Sequence, residues 1–160
     1  MSRFTNDVDN IGMMLDHSII AMVSGLRAKY EEQMEKYQFQ NALAEVFKVI
    51  SRANKYIDEN APWVLAKDES KKARLAKVMY NLLETVRICG ALVEPVMPAT
   101  TAKIMERIGA SEYGGDTLAT FGVLAADTTV TAGDARQVDD EHPDDLPEAQ
   151  GDDGEVVALQ

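Results

Sequence analysis

The sequence predicts an all-α fold: an antiparallel bundle of about five helices followed by a disordered acidic C-terminal tail. Through the first 110 residues, apolar side chains recur every three or four positions, which is the spacing of an amphipathic helix. Prolines and glycines interrupt these repeats and leave only short connections, as in helical bundles. The charge then changes abruptly: residues 1–110 are nearly neutral, whereas residues 111–160 carry one arginine and 13 acids.

Three helices are expected before Pro62. The first carries the apolar stripe Ile11, Leu15, Ile19, Met22 and Leu26, with a break near Gly25. A charged second helix follows. The third, from about residue 41 to 60, has a face formed by Leu43, Val46, Phe47, Ile50, Asn54 and Ile57. Pro62 is expected to end it, because proline disfavours helical geometry at the residue before it.

Two further helices and a tail complete the expected order. The repeat from about residue 70 to 93 has one apolar face, formed by Leu75, Val78, Met79, Leu82, Val86, Cys89 and Val93. A short last helix should begin near Pro98 and end at Gly109. These five helices form a predicted domain at residues 1–110. Residues 111–136 are expected to be a weakly ordered extension containing a short extended segment, and the proline-, glycine- and acid-rich residues 137–160 a disordered tail.

The composition argues against catalysis by this chain. Its two histidines, His17 and His142, and its one cysteine, Cys89, show no spacing typical of a zinc site. There is no P-loop or GxGxxG motif to hold a phosphate. We therefore expect no catalytic residue, no metal and no cofactor, and we expect Cys89 to be a buried thiol. No apolar run approaches the ~20 residues of a membrane span and no signal peptide opens the chain, which predicts a cytoplasmic protein without membrane contact.

The only tryptophan has an unusual position. Trp63 directly follows Pro62, between two helical repeats, instead of lying on the apolar face of a helix. As a plug at a helix junction, its ring would be buried and its indole N–H would donate to a carbonyl. As a stacking platform, the ring would be partly exposed to a nucleotide base, with Lys67 near a phosphate. Sequence physics alone does not distinguish these two interpretations.

A longer stretch resembles a known family. The motif A-N-x-Y-I-x-x-x-A-P-W-x-L-A-K appears as Ala53, Asn54, Tyr56, Ile57, Ala61, Pro62, Trp63, Leu65, Ala66 and Lys67. The turn P-x-M-P-x-T follows at Pro95, Met97, Pro98 and Thr100. From about residue 30 to 109, the sequence is similar to the C-terminal anticodon-binding helical domain of methionyl-tRNA synthetases, which are class I enzymes. The resemblance implies a helical bundle that contacts tRNA, here without the catalytic domain and its HIGH-like and KMSKS-like motifs.

The resemblance also implies roles for three residues. In the family, the tryptophan of A-P-W stacks on the first base of the CAU anticodon. That role falls on Trp63. The family's first helix carries L-G-N-x-x-N-R-T, whose Asn and Arg, four residues apart, read bases; in the corresponding text IGMMLDHSI these positions are Met13 and His17. Met13 has no amide, and the imidazole of His17 lacks the planar fork of guanidinium donors.

Three functions fit these observations. The first is a tRNA anticodon-binding domain of a methionyl-tRNA synthetase, or of a free-standing paralogue, that stacks a base on Trp63. The second is a protein-interaction or regulatory module that derives from this domain and has lost CAU recognition; the changed first helix and the acidic tail favour it. The third is a decayed fragment with a folded bundle and no selected task. Methionine and isoleucine side chains on the first helix also offer a surface for a protein partner or for homo-oligomerisation.

Overall fold

The structure is a computed structural model that describes residues 2–110, 113–125 and 130, the side chains of the first ten residues excepted. Regular structure within these ranges is helical, which confirms the predicted fold class. The helices are α1 (Ser2–Ser24), α2 (Leu26–Glu35), α3 (Phe39–Asn60), α4 (Pro62–Leu65), α5 (Lys72–Val93) and α6 (Pro98–Arg107). Short 3-10 helices span Glu69–Lys71 and Gly115–Ala119. The acidic tail predicted at residues 137–160 lies outside the described residues.

Three long helices, α1, α3 and α5, form the centre of the bundle. α1 contacts both α3 and α5, and α3 packs against α5. α2 folds back along α3, and α6 packs on α5. The main core lies between α1, α2, α3 and α5 and includes Ile19, Val46, Tyr56, Val78 and Ile88. A smaller core between α5, α6 and the segment after α6 consists of Ala91, Met105, Ile108, Ala110 and Leu124.

Helix ends coincide with the predicted glycine and proline positions. Gly25 is the single residue between α1 and α2. α6 begins at Pro98 and is followed by Gly109, whose φ of 65° is the left-handed conformation that commonly ends helices. α3 ends at Asn60, and Ala61 adopts a left-handed conformation with φ 42° and ψ 63°. Pro62 then opens α4, a position where its missing N–H costs nothing.

The buried faces of α1 and α3 agree with the predicted ones in part. On the predicted faces, Ile19, Leu26 and Val46 are buried, and Leu15, Met22, Leu43 and Ile50 pack against the core. Ile11 and Phe47, however, are 58% and 51% exposed, and Asn54 is exposed as well. The residues that α3 buries are Ala42, Val46, Val49, Ala53 and Tyr56. The buried side of α3 is therefore rotated away from Phe47 towards its alanines.

The second half of α5 is buried on almost every side, which a single apolar stripe did not predict. Met79 and Val86, placed on the predicted face, are exposed, whereas Glu84 and Arg87 are fully buried. The reason is that α6 and residues 113–125 cover the remaining sides of α5. This segment belongs to the extension predicted at residues 111–136. Its described part contains a 3-10 turn and then bends at Phe121 and Leu124, without a strand.

Candidate functional site

A cavity of about 510 Å³ opens where the first half of α1 meets the end of α3 and the start of α5. Its apolar lining consists of Ile11, Met13, Leu15, Leu65 and Ala73. Its polar lining consists of Gly12, Glu59, Asn60, Lys71, Arg74 and Lys77. The cavity therefore combines apolar walls with several cationic side chains, a combination that suits a ligand with a flat apolar part and negative charge.

Arg74 joins three elements around this cavity. Its Nη1 donates a hydrogen bond to Oδ2 of Asp16 over 2.6 Å, and its Nη2 donates to the Gly12 carbonyl over 3.2 Å and to Oδ1 of Asn60 over 2.5 Å. Gly12 leaves room for this, because a Cβ atom at that position would lie only 3.1 Å from Cζ of Arg74. A single guanidinium thus connects α1, the end of α3 and the start of α5. We call Asp16, Tyr56, Asn60 and Arg74 the Arg74 cluster.

Asp16 is the buried acid of the Arg74 cluster. Its Oδ1 accepts a hydrogen bond from the hydroxyl of Tyr56, whose oxygen accepts one from Nδ2 of Asn81. Burial alone would raise the pKa of Asp16, but hydrogen bonds from Arg74 and Tyr56 outweigh it and hold the pKa below its usual value. Burial, together with the hydrogen bond to Asp16, raises the pKa of Tyr56 to about 12. Asp16 is therefore charged and Tyr56 neutral at neutral pH.

Trp63 lies on the single-turn helix α4 and is 55% exposed. This exposure is too large for the buried plug that the sequence left open. Ala61 redirects the chain here: its N–H donates to the Ile57 carbonyl over 2.8 Å, and its carbonyl accepts from the N–H of Val64 over 2.8 Å. A left-handed alanine is uncommon, and it lets α4 begin immediately at the end of α3. The indole therefore projects from the corner between the two helices.

The other three predicted site residues are exposed as well. Met13 is 48% exposed and lines the cavity together with Leu65 of α4. His17 follows one turn later on α1, next to Ser18, whose hydroxyl lies 3.4 Å from Nε of Arg52. Lys67 is exposed just after α4 and forms no ion pair with any described residue. The structure thus brings Met13 to the cavity, whereas Trp63, His17 and Lys67 are not part of its lining.

Sequence reasoning missed the four residues of the Arg74 cluster. For two of them a signal existed: Asp16 lies in helical register with the buried Ile19 and Val23, and Tyr56 lies in register with Val49 and Ala53. A polar group on a buried face needs a hydrogen-bonding partner, so both positions indicated a buried network. Arg74 gave no comparable signal, because charged residues surround it in the sequence.

Packing accounts for the other groups that could take part in chemistry. Cys89 is buried, as predicted, and burial raises the pKa of its thiol to about 12, so that it stays protonated. Among the residues that the structure describes, no three His, Cys, Asp or Glu side chains are grouped so that they could hold a metal ion. None of the helices in the described ranges is long and apolar enough to cross a membrane.

Comparison with protein families decides which domain this is. Residues 10–150 match the family described as the anticodon binding domain of methionyl tRNA ligase. The chain belongs to this family. The resemblance noted in the sequence is thereby confirmed.

Relatives and solved structures agree with this assignment. The chain is 53% identical over 98 residues to the methionine–tRNA ligase of Caldanaerobacter subterraneus, which covers 61% of this chain and 15% of that protein. It is 43% identical over 121 residues to the enzyme of Clostridium tetani, covering 76% and 19%. The crystal structure of Mycobacterium tuberculosis methionyl-tRNA synthetase bound by methionyl-adenylate matches with a TM-score of 0.58 and 32% identity, over 59% of this chain and 19% of that one. The chain therefore spans less than a fifth of the length of these proteins.

Proposed function

We propose that this domain binds the anticodon stem-loop of a tRNA and that the indole of Trp63 stacks on an anticodon base. The observation that carries the proposal is the exposure of Trp63 at the corner between α3 and α4, in a chain of the anticodon-binding family. α4 contains no buried residue, so the ring contributes little to the core. Its free face suits stacking, an interaction that every base can make.

Charge at the corner supports the same proposal. Lys67 is exposed four residues after Trp63 and forms no ion pair with a described residue. Its ammonium group is therefore available for a phosphate of the nucleotide whose base stacks on the indole. Binding of this kind releases counterions, so we expect the affinity to fall as the salt concentration rises.

Base discrimination is expected to be weak. Met13 and His17 lie one turn apart on an exposed side of α1, as is usual for residues i and i+4. Neither side chain offers the bidentate hydrogen bonds with which an amide or a guanidinium distinguishes one base edge from another. We therefore propose that stacking on Trp63 supplies more of the affinity than hydrogen bonding to the CAU bases does.

The test is the affinity of a labelled CAU stem-loop for Trp63 variants, measured by fluorescence anisotropy. Trp63→Ala should weaken binding by about 1–3 kcal/mol, the usual contribution of one stacked base. Trp63→Phe keeps a ring and should lie in between. The melting temperature of both variants should change little, because an exposed side chain contributes little to stability.

Phe39→Ala is the matched control. Phe39 is 54% exposed, almost as much as Trp63, but it begins α3 at the end opposite to the corner. At 1.5 Å per residue, that end lies about 30 Å from Asn60. Phe39→Ala should leave the affinity unchanged. If Trp63→Ala binds the loop as tightly as Phe39→Ala does, base stacking on Trp63 is wrong.

A protein-interaction module is the second candidate, and α1 supplies the observation that favours it. Ile11, Met13 and Met14 are 58%, 48% and 71% exposed. Adjacent exposed apolar side chains of this kind are typical of protein-binding surfaces. A chain that binds no tRNA stem-loop at low salt, yet forms a complex with another protein that survives nuclease treatment, would establish this function in place of the first.

A further inference from the structure

We propose that Arg74 is a positioning residue for RNA binding, which fixes the distance between the exposed side of α1 and the corner that carries Trp63. The inference rests on the proposed function and deepens it. It assigns a role to a residue whose hydrogen bonds and ion pair involve none of the four predicted contact residues, although it lines the same cavity as Met13. Instead, its hydrogen bonds go to Gly12, Asp16 and Asn60, which lie close to three of these residues in the sequence.

The predicted binding surface consists of Met13 and His17 on α1 and of Trp63 and Lys67 at the corner. The hydrogen bonds of Arg74 reach residues beside both parts. On α1, Arg74 binds the carbonyl of Gly12, which precedes Met13, and the carboxylate of Asp16, which precedes His17. On α3, it binds the side chain of Asn60, three residues before Trp63. A shift of the guanidinium therefore moves the two sides of the surface relative to each other.

The corner has little burial of its own. α4 is four residues long and contains no buried residue, although Leu65 packs, partly buried, against the main core and α4 lies against α5. The residue that fixes the start of α4 is Asn60, whose Nδ2 donates to the Tyr56 carbonyl over 2.8 Å and whose Oδ1 accepts from Arg74. Tyr56 also links α1, α3 and α5, but it does so inside the core. Arg74 makes the link at the cavity, next to the binding surface.

Gly12 gives independent support. Glycine inside a helix is less favourable than alanine because it loses more conformational freedom on folding. At this position it lets the guanidinium come within reach of the α1 backbone, where a Cβ would lie 3.1 to 3.3 Å from three guanidinium atoms of Arg74. The sequence thus has a residue of low helix propensity at the point where Arg74 approaches α1.

The experiment compares Arg74→Lys, Arg74→Met and Gly12→Ala with Lys77→Met. Lys77 Nζ lies 3.3 Å from the same Oδ2 of Asp16, so Lys77→Met removes one positive charge near the same carboxylate without breaking the bridge between Gly12 and Asn60. Any loss of affinity shared by Arg74→Met and Lys77→Met is due to the removal of one positive charge near Asp16. We expect Arg74→Met to weaken stem-loop binding by about five- to tenfold beyond that shared loss.

Arg74→Lys separates positioning from stability. Lysine keeps the charge near Asp16, but its single ammonium lacks the planar fork that reaches three acceptors at once. Gly12→Ala leaves the charge unchanged and improves helix propensity. We expect both variants to keep a melting temperature near that of the wild type and to bind the stem-loop several-fold more weakly.

A measurement without RNA keeps the inference independent of the proposed function. Collisional quenching of Trp63 fluorescence by acrylamide should change in Arg74→Lys and Gly12→Ala and stay at the wild-type value in Lys77→Met. If quenching is the same in all of them, Arg74 does not position Trp63, whether or not RNA binds. If quenching changes as expected but the wild type binds no stem-loop, the proposed function fails and the structural role of Arg74 stands.

Discussion

Two arginines of α5 each form an ion pair with a buried carboxylate, and the two pairs differ in exposure. Glu84 and Arg87 are three residues apart on this one helix, and both side chains are 0% exposed. Asp16 and Arg74 are 58 residues apart in sequence, and the arginine side chain remains 25% exposed at the cavity. The first pair is closed off from solvent and the second borders the predicted binding surface.

The partners of the Glu84–Arg87 pair explain its role. The carboxylate of Glu84 accepts hydrogen bonds from the N–H groups of Gly122 and Leu124 over 2.8 and 2.6 Å. Arg87 donates to the carbonyls of Thr117 and Thr120 over 3.1 and 2.6 Å. The pair thus satisfies backbone groups of the segment after α6 and attaches it to α5. The Glu84–Arg87 pair fastens one segment to one helix, whereas the Asp16–Arg74 pair joins three helices next to the cavity, and only for the second do we propose a positioning role.

Arg87→Met is expected to have the largest effect on stability of the variants that test this difference between the two pairs. It leaves the carboxylate of Glu84 buried without its ion partner, which typically costs about 3–5 kcal/mol of unfolding free energy. Urea unfolding followed by circular dichroism measures the loss. The affinity of the folded fraction for the stem-loop should not change, because the pair lies away from the corner at Trp63.

The double variant Glu84→Gln with Arg87→Met is the control. It removes the buried charge and should recover part of the stability. Full recovery is not expected, because carbonyls of Thr117 and Thr120 still lose their donor. A double variant as stable as the wild type would show that the pair does not anchor residues 113–125.

Tyr56→Phe tests the buried side of the Arg74 cluster. The variant removes the hydroxyl between Asp16 and Asn81 and should cost about 1–3 kcal/mol, as for other buried groups left without a partner. The folded-state pKa of about 12 lies above the usual value of about 10. The stability from neutral Tyr56 is therefore fully present below pH 10 and is lost as the pH rises towards 12. The difference in unfolding free energy between wild type and variant should shrink across this window; a constant difference would contradict the assignment.

Met13→Asn combined with His17→Arg tests whether base discrimination can be raised on α1. The pair of changes supplies amide and guanidinium donors on the exposed side of α1. We expect preference for a CAU loop over a scrambled loop to rise by about 1 kcal/mol, the lower end of the discrimination from one base-edge contact. Competition binding with the two loops measures it. An unchanged preference would mean that base reading in this domain does not depend on these two positions.

The smallest expected effect is a difference in acid sensitivity. The pKa values of Asp16 and Glu84 are both lowered, because hydrogen bonds and charge from Arg74 and Arg87 outweigh the effect of burial. Each carboxylate therefore contributes stability that is present above the unfolded-state pKa of about 4 and is lost as the pH falls below it. Asp16→Asn should make the decline in unfolding free energy between pH 5 and 2.5 less steep. An equally steep decline in the variant would mean that Asp16 contributes nothing to it.

Much of the fold was predictable because helix boundaries depend on local chemistry. Gly25, Pro62, Pro98 and Gly109 mark helix ends in the sequence and in the structure alike. The buried face of α3 was less predictable, because apolar residues lie on more than one side of this helix and the buried set includes the small Ala42 and Ala53. A structure was also needed to reveal the burial of Glu84 and Arg87, since residues 113–125 cover them.

The candidate site was also predictable only in part from local sequence. The position of Trp63 after Pro62 left open whether its ring is a buried plug or an exposed platform, and the 55% exposure decides against the plug. The Arg74 cluster joins residues separated by as many as 58 positions in sequence. No local pattern reports such a contact, so the residue that links the two sides of the surface emerged only from the structure.

The measurement that tests the account most directly is the fluorescence of Trp63, the only tryptophan, during titration with a CAU stem-loop. We expect saturable quenching that weakens as the salt concentration rises, with a scrambled loop quenching nearly as well. Quenching by the CAU loop alone would contradict the weak discrimination proposed for Met13 and His17. Emission that stays unchanged with both loops at low salt would contradict stacking on Trp63, the central claim.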